Sequence, residues 1–246
     1  MEVHKHPHHV THKKKLGEYL LEFLMLFLAV FLGFLAENRR EEIAERHKEK
    51  EYMETFVNDL ERDTLLIHYV NGLLKDRNIY LDTLLTRVNT PGILNTPNKL
   101  YEVIHKAIGA SYFTFTERTL SQLKSAGGMR LIRNREVSDS IADYDYEIYW
   151  HSLFLKQRFE TSEKLHALEH QIFIKNEYKN LTPEQIKNLD HQLKIQNLSA
   201  EKITEFANIA AVLREQNDTY QKKYLDIIER KATNLRNLIK KEYHLK

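Results

Sequence analysis

The sequence predicts an all-α protein. An N-terminal transmembrane helix continues into a charged stalk, and then into an elongated antiparallel bundle of three long helices with short capping helices between them. Three observations carry this. Gly occurs 7 times and Pro 4 times in 246 residues, too little punctuation for a sandwich, a barrel or a doubly wound sheet, which need many tight turns. Residues 19–36 are almost wholly apolar. From Met53 onward, apolar residues recur at alternating spacings of four and three, the period of packed helices.

The anchor comes first. Tyr19 to Ala36 reads YLLEFLMLFLAVFLGFLA, 18 residues with one charge, Glu22. As a helix it spans about 27 Å, close to the hydrocarbon core of a bilayer at about 30 Å. A cut after Ala36 would place Phe34 three residues back, too bulky for signal cleavage, so the span is expected to stay uncleaved. Lys13, Lys14 and Lys15 abut it on the N-terminal side, and Arg39, Arg40, Arg46, Lys48 and Lys50 follow it. The compact triple Lys and the short tail favour a cytoplasmic N-terminus and a periplasmic C-terminal domain. The tail, residues 1–18, is basic and holds five His within MEVHKHPHHVTH. Such a tract can ligate a transition metal, but a basic tail that orients the anchor is the plainer reading. Glu22 is a candidate for ion or force coupling, because an intramembrane carboxylate is functional by default. One turn inside the span, it can also snorkel to the interface.

Residues 37–51, ENRREEIAERHKEKE, have almost no apolar face but carry helix-supporting pairs, Glu42 with Arg46 and Glu37 with Arg40. They are expected to form the stalk, and residues 52–246 the bundle. Its first helix has the seam Met53, Val57, Leu60, Thr64, Ile67, Asn71, Leu74, Asn78, Leu81, Leu85 and Val88. A second stripe, Phe56, Leu66, Leu73 and Leu84, calls for more than one neighbour. Asn89-Thr90-Pro91-Gly92 ends the helix.

Thr96-Pro97 is expected to cap a short helix, Ser111 to Thr116 (SYFTFT) to be an extended link, and Thr116 to cap another short helix, stopped at Gly127-Gly128. A second long helix follows Asn134 and runs to about Tyr178. Thr182-Pro183-Glu184-Gln185 is a capping box. Ser199 caps the third long helix, with the seam Phe206, Ala210, Leu213, Asn217, Tyr220, Tyr224, Ile227 and Leu238. As helices, residues 37–88, 136–178 and 200–244 would be about 78, 65 and 68 Å long. An up-down-up path is therefore expected, with residues 89–135 capping one end and residues 179–199 the other.

Few strings carry chemistry. The chain has no Cys, which excludes disulfides, thiolate nucleophiles and Cys-based zinc sites. No cofactor is signalled. His166, Glu169 and His170 spell H-x-x-E-H, the order used by inverted zinc peptidases. A zinc hydrolase there is an alternative function, but no strands and no third ligand accompany it, and a solvated or core-edge helix face is expected instead. Arg130, Arg133 and Arg135 follow the double Gly without phosphate-loop spacing. Asp143 to Trp150 is an acidic-aromatic patch whose Tyr146, Tyr149 and Trp150 lie off the core stripe, where interface aromatics sit. The formal charge of +2 gives no signal for nucleic acid.

The anchor YLLEFLMLFLAVFLGFLAEN, preceded by MEVHKHPHH, and the string TERTLSQLKSAGGMRLIRNREVSDSIADYD resemble an uncharacterised family of Bacteroidota single-pass membrane proteins with a helical extramembrane domain. The resemblance implies a bacterial cytoplasmic membrane protein and carries no activity. The expected function is a non-enzymatic, membrane-anchored interaction, scaffold or ligand-sensing module. Its partners would be the bilayer, through residues 19–36, and another protein or a second copy.

Overall fold

The computed structural model describes residues 15–109, 111–125, 127–196 and 199–245. The His-rich stretch, Lys13, Lys14 and Lys246 lie outside the described residues. Every regular element among those described is helical. The chain divides into two units, Met1–Lys50 and Glu51–Lys246.

Helix α1 runs unbroken over Leu16–Val88. In the first unit it contains the one stretch among the described residues long and apolar enough to cross a membrane, none of it buried. Leu20, Phe23, Phe27, Phe31 and Phe34 are all exposed. Farther along, Arg40 pairs with Glu37, and Arg46 with Glu42 at 2.8 Å.

The second unit holds two apolar cores. Of the predicted α1 seam, Met53, Val57, Leu60, Ile67, Leu74 and Leu81 are buried, and so is Asn78. The first core joins Met53, Val57, Leu60, Ile67 and Leu74 to Val137, Ile141, Tyr144 and Ile148 of α4, Arg135–Ile172. The second gathers Leu81 and Leu84, α2 (Asn98–Ala107), the end of α4, and α7 (Ala200–Thr219). Three short helices, α3 over Arg118–Ser125, α5 over Lys175–Tyr178 and α6 over Pro183–Lys187, and the longer α8 over Asp226–Glu242 are the other α-helices described.

The path differs from the up-down-up expectation. After α1 the chain doubles straight back along it: Arg87 meets Glu102, Lys106 meets Tyr80, Arg77 meets Ser111, Asp63 meets Thr116, and Asp59 meets Thr119. Residues 111–117 are extended and span much of this return. Helix α4 then starts beside the beginning of the unit and runs parallel to α1, as Asp63 to Tyr144 and the shared contact of Arg77 and Arg158 with Ser111 require. The last long rod opposes both. Along it, Arg214 meets Asp82, Gln221 meets Asn71, Lys240 meets Glu61, and Lys231 meets Glu147. Residues 89–135 therefore cap no single end. Residues 98–104 and 173–195 share one end, with Asn98 clamping the backbone at His191 and Leu193, both at 2.8 Å. Residue Asn134 and the C-terminal Glu242 meet at the other, at 2.8 Å. The physical reason is the extended link: seven residues at about 3.3 Å each cover far more length than the same residues in a helix.

The third rod holds a second departure. Tyr220–Leu225 is a π-helical stretch between α7 and α8. Its wider turn delays the seam by one residue. Phe206, Ala210, Leu213, Asn217 and Tyr220 are buried as expected, but beyond them Leu225, Ile228 and Ile239 are buried in place of Tyr224, Ile227 and Leu238.

Local signals divide similarly. Asn134 and Ser199 cap α4 and α7, and Thr182 with Gln185 forms the capping box. Thr96 does not cap α2, and α4 stops at Ile172, where Phe173 becomes extended and bridges Ile195. Thr116 does not cap α3 in the expected way. Buried Asp59 of α1 accepts from the Thr119 N–H at 3.2 Å and pairs with Arg118 at 2.8 Å. The carboxylate thus supplies the acceptor that the first helical turn lacks.

Candidate functional site

The extended link carries the polar centre of the second unit. Ser111 and Phe113 point inward, and Tyr112 and Thr114 outward, the two-residue alternation of a strand. Among the described residues no neighbouring strand serves its backbone, and side chains from three helical segments do so. Tyr220 Oη accepts from Phe113 N–H at 3.0 Å, and Asp63 accepts from Thr116 N–H at 2.9 Å. Arg158 donates to the Ser111 carbonyl at 2.7 Å and to Asn217 Oδ1 at 2.8 Å, and Asn217 donates to Asn78 at 2.9 Å. Arg77 donates to the Ser111 hydroxyl at 2.8 Å.

Burial shifts these groups. It lowers Arg158 to about 10, helped by repulsion from Arg77, which burial lowers too. It lowers His151 to about 4, again helped by the charge of Arg158. It raises Asp63, against hydrogen bonds from Thr116 and Tyr144, and pushes Tyr220 up to about 12. His151 is therefore a neutral imidazole at ordinary pH. Its Nε2 lies 2.9 Å from Tyr220 Oη, and its Nδ1 is buried without a partner.

Between the link and α4 lies an open cleft of about 390 Å³. Tyr112, Phe113 and Phe115 form one wall, and Leu155, Phe159 and His151 the other, with Glu117 and Lys156 at the rim. The three α4 residues stand four apart and so share one helix face. Sequence reading missed this cleft. Phe159, one turn beyond Leu155 on the same face, is 50% exposed.

The H-x-x-E-H string is brought together. One ligand atom each from His166, Glu169 and His170 lies within 4.8 Å of the others. His166 is half-buried and His170 exposed, while Glu169 is only 1% exposed. Its carboxylate accepts from the Tyr178 hydroxyl, meets His166 Nδ1 at 3.0 Å and takes Lys175 at 3.4 Å. Burial, with Glu169 beside it, holds the Tyr178 hydroxyl far above its usual range. Both oxygens of the Glu169 carboxylate are thus engaged within the protein. The arrangement ties the last turn of α4 to α5.

Glu22 is partly covered, in the second turn of α1, in a different unit from these groups. Arg130 lies in the 3-10 turn Gly128–Leu131, after Gly127 in the left-handed region at φ 65°, and Arg135 meets Asp139, at 3.6 Å. The acidic-aromatic patch separates by face. Tyr144 is buried against Asp63, while Tyr146, Tyr149 and Trp150 are exposed.

No protein-family model, curated protein or solved structure matches the chain.

Proposed function

We propose that this protein is a membrane-anchored interaction module of a bacterial cytoplasmic membrane. Residues 19–36 cross the bilayer with the N-terminal tail inside, and the helical bundle of residues 51–246 binds a protein partner outside through α4. The carrying observation is a row on that helix. Tyr146, Tyr149, Trp150 and Leu153 are 58, 57, 45 and 46% exposed, and their spacing of three and four puts them on one stripe. The rings support one another edge to face, with Trp150 centred 6.1 Å from Tyr146 and 5.7 Å from Tyr149. Tyr and Trp are the residues that dominate binding at protein interfaces. The neighbouring acids are tied back within the bundle, Asp145 to Lys124 and Glu147 to Lys231, both at 2.8 Å. An apolar stripe with its charges already paired can be covered at little desolvation cost.

Photo-crosslinking in intact cells tests this. A benzophenone side chain placed at Trp150 is expected to give one discrete adduct with a different polypeptide. That adduct should disappear when Tyr146 and Leu153 are changed to Ala, and should not form from Glu160. Adducts of the chain with itself, or none, would overturn it. Because the chain lacks Cys, Glu160→Cys also reports sidedness. An impermeant maleimide should label it without lysing the inner membrane.

A further inference from the structure

The polar centre holds two cations that no carboxylate balances. Arg77 and Arg158 converge on Ser111, and among the described residues neither forms an ion pair. Cations drawn into the protein and held only by neutral acceptors are costly, and a nearby anion relieves them. Arg158 is buried, but Arg77 is only half-buried. The three nitrogens of Arg77 differ. Nη1 donates to the Ser111 hydroxyl at 2.8 Å, and Nε is buried without a partner. Nη2 makes no hydrogen bond among the described residues and keeps accessible surface. Bare backbone lies beside it: a Cβ on Gly109, at φ 154°, would stand 3.0 Å from this nitrogen.

Arg77 lines a groove of about 540 Å³ between α1 and α2, a volume within the range of small-molecule sites. Lys106 stands on its α2 side, and Leu73, Asp76, Ile79 and Tyr80 on its α1 side. Lys106 Nζ donates to Tyr80 Oη at 3.1 Å, which leaves the phenol proton and the other ammonium protons for a ligand. The groove thus offers donors from Arg77, Tyr80 and Lys106 against one carboxylate, the exposed Asp76. Several donors around two fixed positive charges suit an oxyanion with several acceptor oxygens. Leu73 and Ile79, both exposed, give an organic body an apolar wall. We propose that this groove binds a small soluble phosphomonoester, its phosphate between Arg77 Nη2 and Lys106 Nζ and its organic part against Leu73 and Ile79. Arg158, on the far side of Ser111, adds to the positive field. The groove shares no residue with the Tyr146–Leu153 stripe of α4, so either site can fail alone.

The test uses the full-length chain in phosphatidylcholine nanodiscs, titrated with phenyl phosphate by isothermal calorimetry against empty discs. Saturable binding of one molecule per chain is expected. K106M, at an exposed position, should weaken binding about tenfold, the value of one hydrogen bond to a charged group. R77M should weaken it at least as much. D76N takes a like charge from the rim and should tighten binding about threefold, a gain that a merely structural role would not give. Phenol has the same ring without the phosphate and should fail to compete. Adding phosphatidic acid to the discs should leave binding unchanged; if it abolishes binding, the phosphate belongs to a lipid head and the soluble ligand is overturned. Heat no greater than from empty discs, binding unchanged in K106M, or equal competition by phenol would each overturn the proposal too. If circular dichroism shows R77M unfolded, K106M and D76N decide it.

Discussion

Replacing Tyr220 with Phe isolates the hydroxyl that joins the extended link to α4. Tyr220 is fully buried, as is Phe113, and His151 is 2% exposed. The ring stays, so the stacking with Phe154, at 6.4 Å between centroids, and the apolar contacts of the π-helical turn are kept. No cavity larger than one oxygen opens. Only two hydrogen bonds are lost: Phe113 N–H at 3.0 Å and His151 Nε2 at 2.9 Å. Each orphaned buried group costs about 1–3 kcal/mol, and the imidazole recovers part of its share by changing tautomer. Y220F should therefore destabilise the protein by about 2–4 kcal/mol, a large part of a typical 5–15. Residues 51–246 contain both apolar cores, and their urea unfolding by circular dichroism is the assay. The midpoint should fall with the slope unchanged. A cycle with H151F should show coupling of about 1 kcal/mol, because the remaining cost sits at Phe113. A loss below about 0.5 kcal/mol would refute the view that this hydroxyl satisfies the backbone of the link.

Three further outcomes follow from the same structure. L74A removes a fully buried side chain of the first core and should cost about 2–5 kcal/mol at every protein concentration; a melting temperature that tracks concentration would assign the seam to self-association instead. His151 is held at about 4, below its unfolded value of 6.5, so the unfolded chain binds more protons between those values. Stability should decline from about pH 6.5 down to about pH 4, by on the order of 3 kcal/mol, relative to H151F at each pH. Asp63, raised by burial, changes stability the opposite way on acidification, which is why the difference from H151F is the quantity to read. Finally, E169A should destabilise by about 1–3 kcal/mol by orphaning Tyr178, whereas H170A at an exposed position should do little; stoichiometric zinc in purified protein, lost on H170A, would restore the metal reading of that string.

Much of the candidate chemistry was legible only in part. The H-x-x-E-H spacing correctly placed three ligating groups together, since i, i+3 and i+4 neighbours on a helix meet whatever surrounds them. The burial of Glu169 was not legible, because Tyr178 and Lys175 cover it only after α4 breaks at Phe173. Asp59 and Asp63 lie just beside the seam, and the helical period says nothing of their partners. They are buried because α3 and the link, more than fifty residues away, bring backbone N–H groups that need acceptors. Tyr146, Tyr149 and Trp150 could be separated from the core by period alone, but whether another helix would cover them could not.

By itself the sequence determined the helical class, the apolar run at residues 19–36, the buried face of α1 and the caps at Asn134, Thr182 and Ser199. These are local matters. Helical period, capping side chains and uninterrupted apolar length act over a few residues, and neighbouring chain cannot easily reverse them. Tertiary structure alone decided that α4 runs parallel to α1, that the seam slips by one residue at Tyr220–Leu225, and that a cleft opens beside His151. Each depends on where the extended link lies. Its backbone must be hydrogen-bonded by whatever packs against it, and Asp63, Tyr220 and Arg158 come to it from positions 53, 107 and 47 residues distant. No periodicity encodes such separations; only the closing of the fold around an unpaired strand-like segment does.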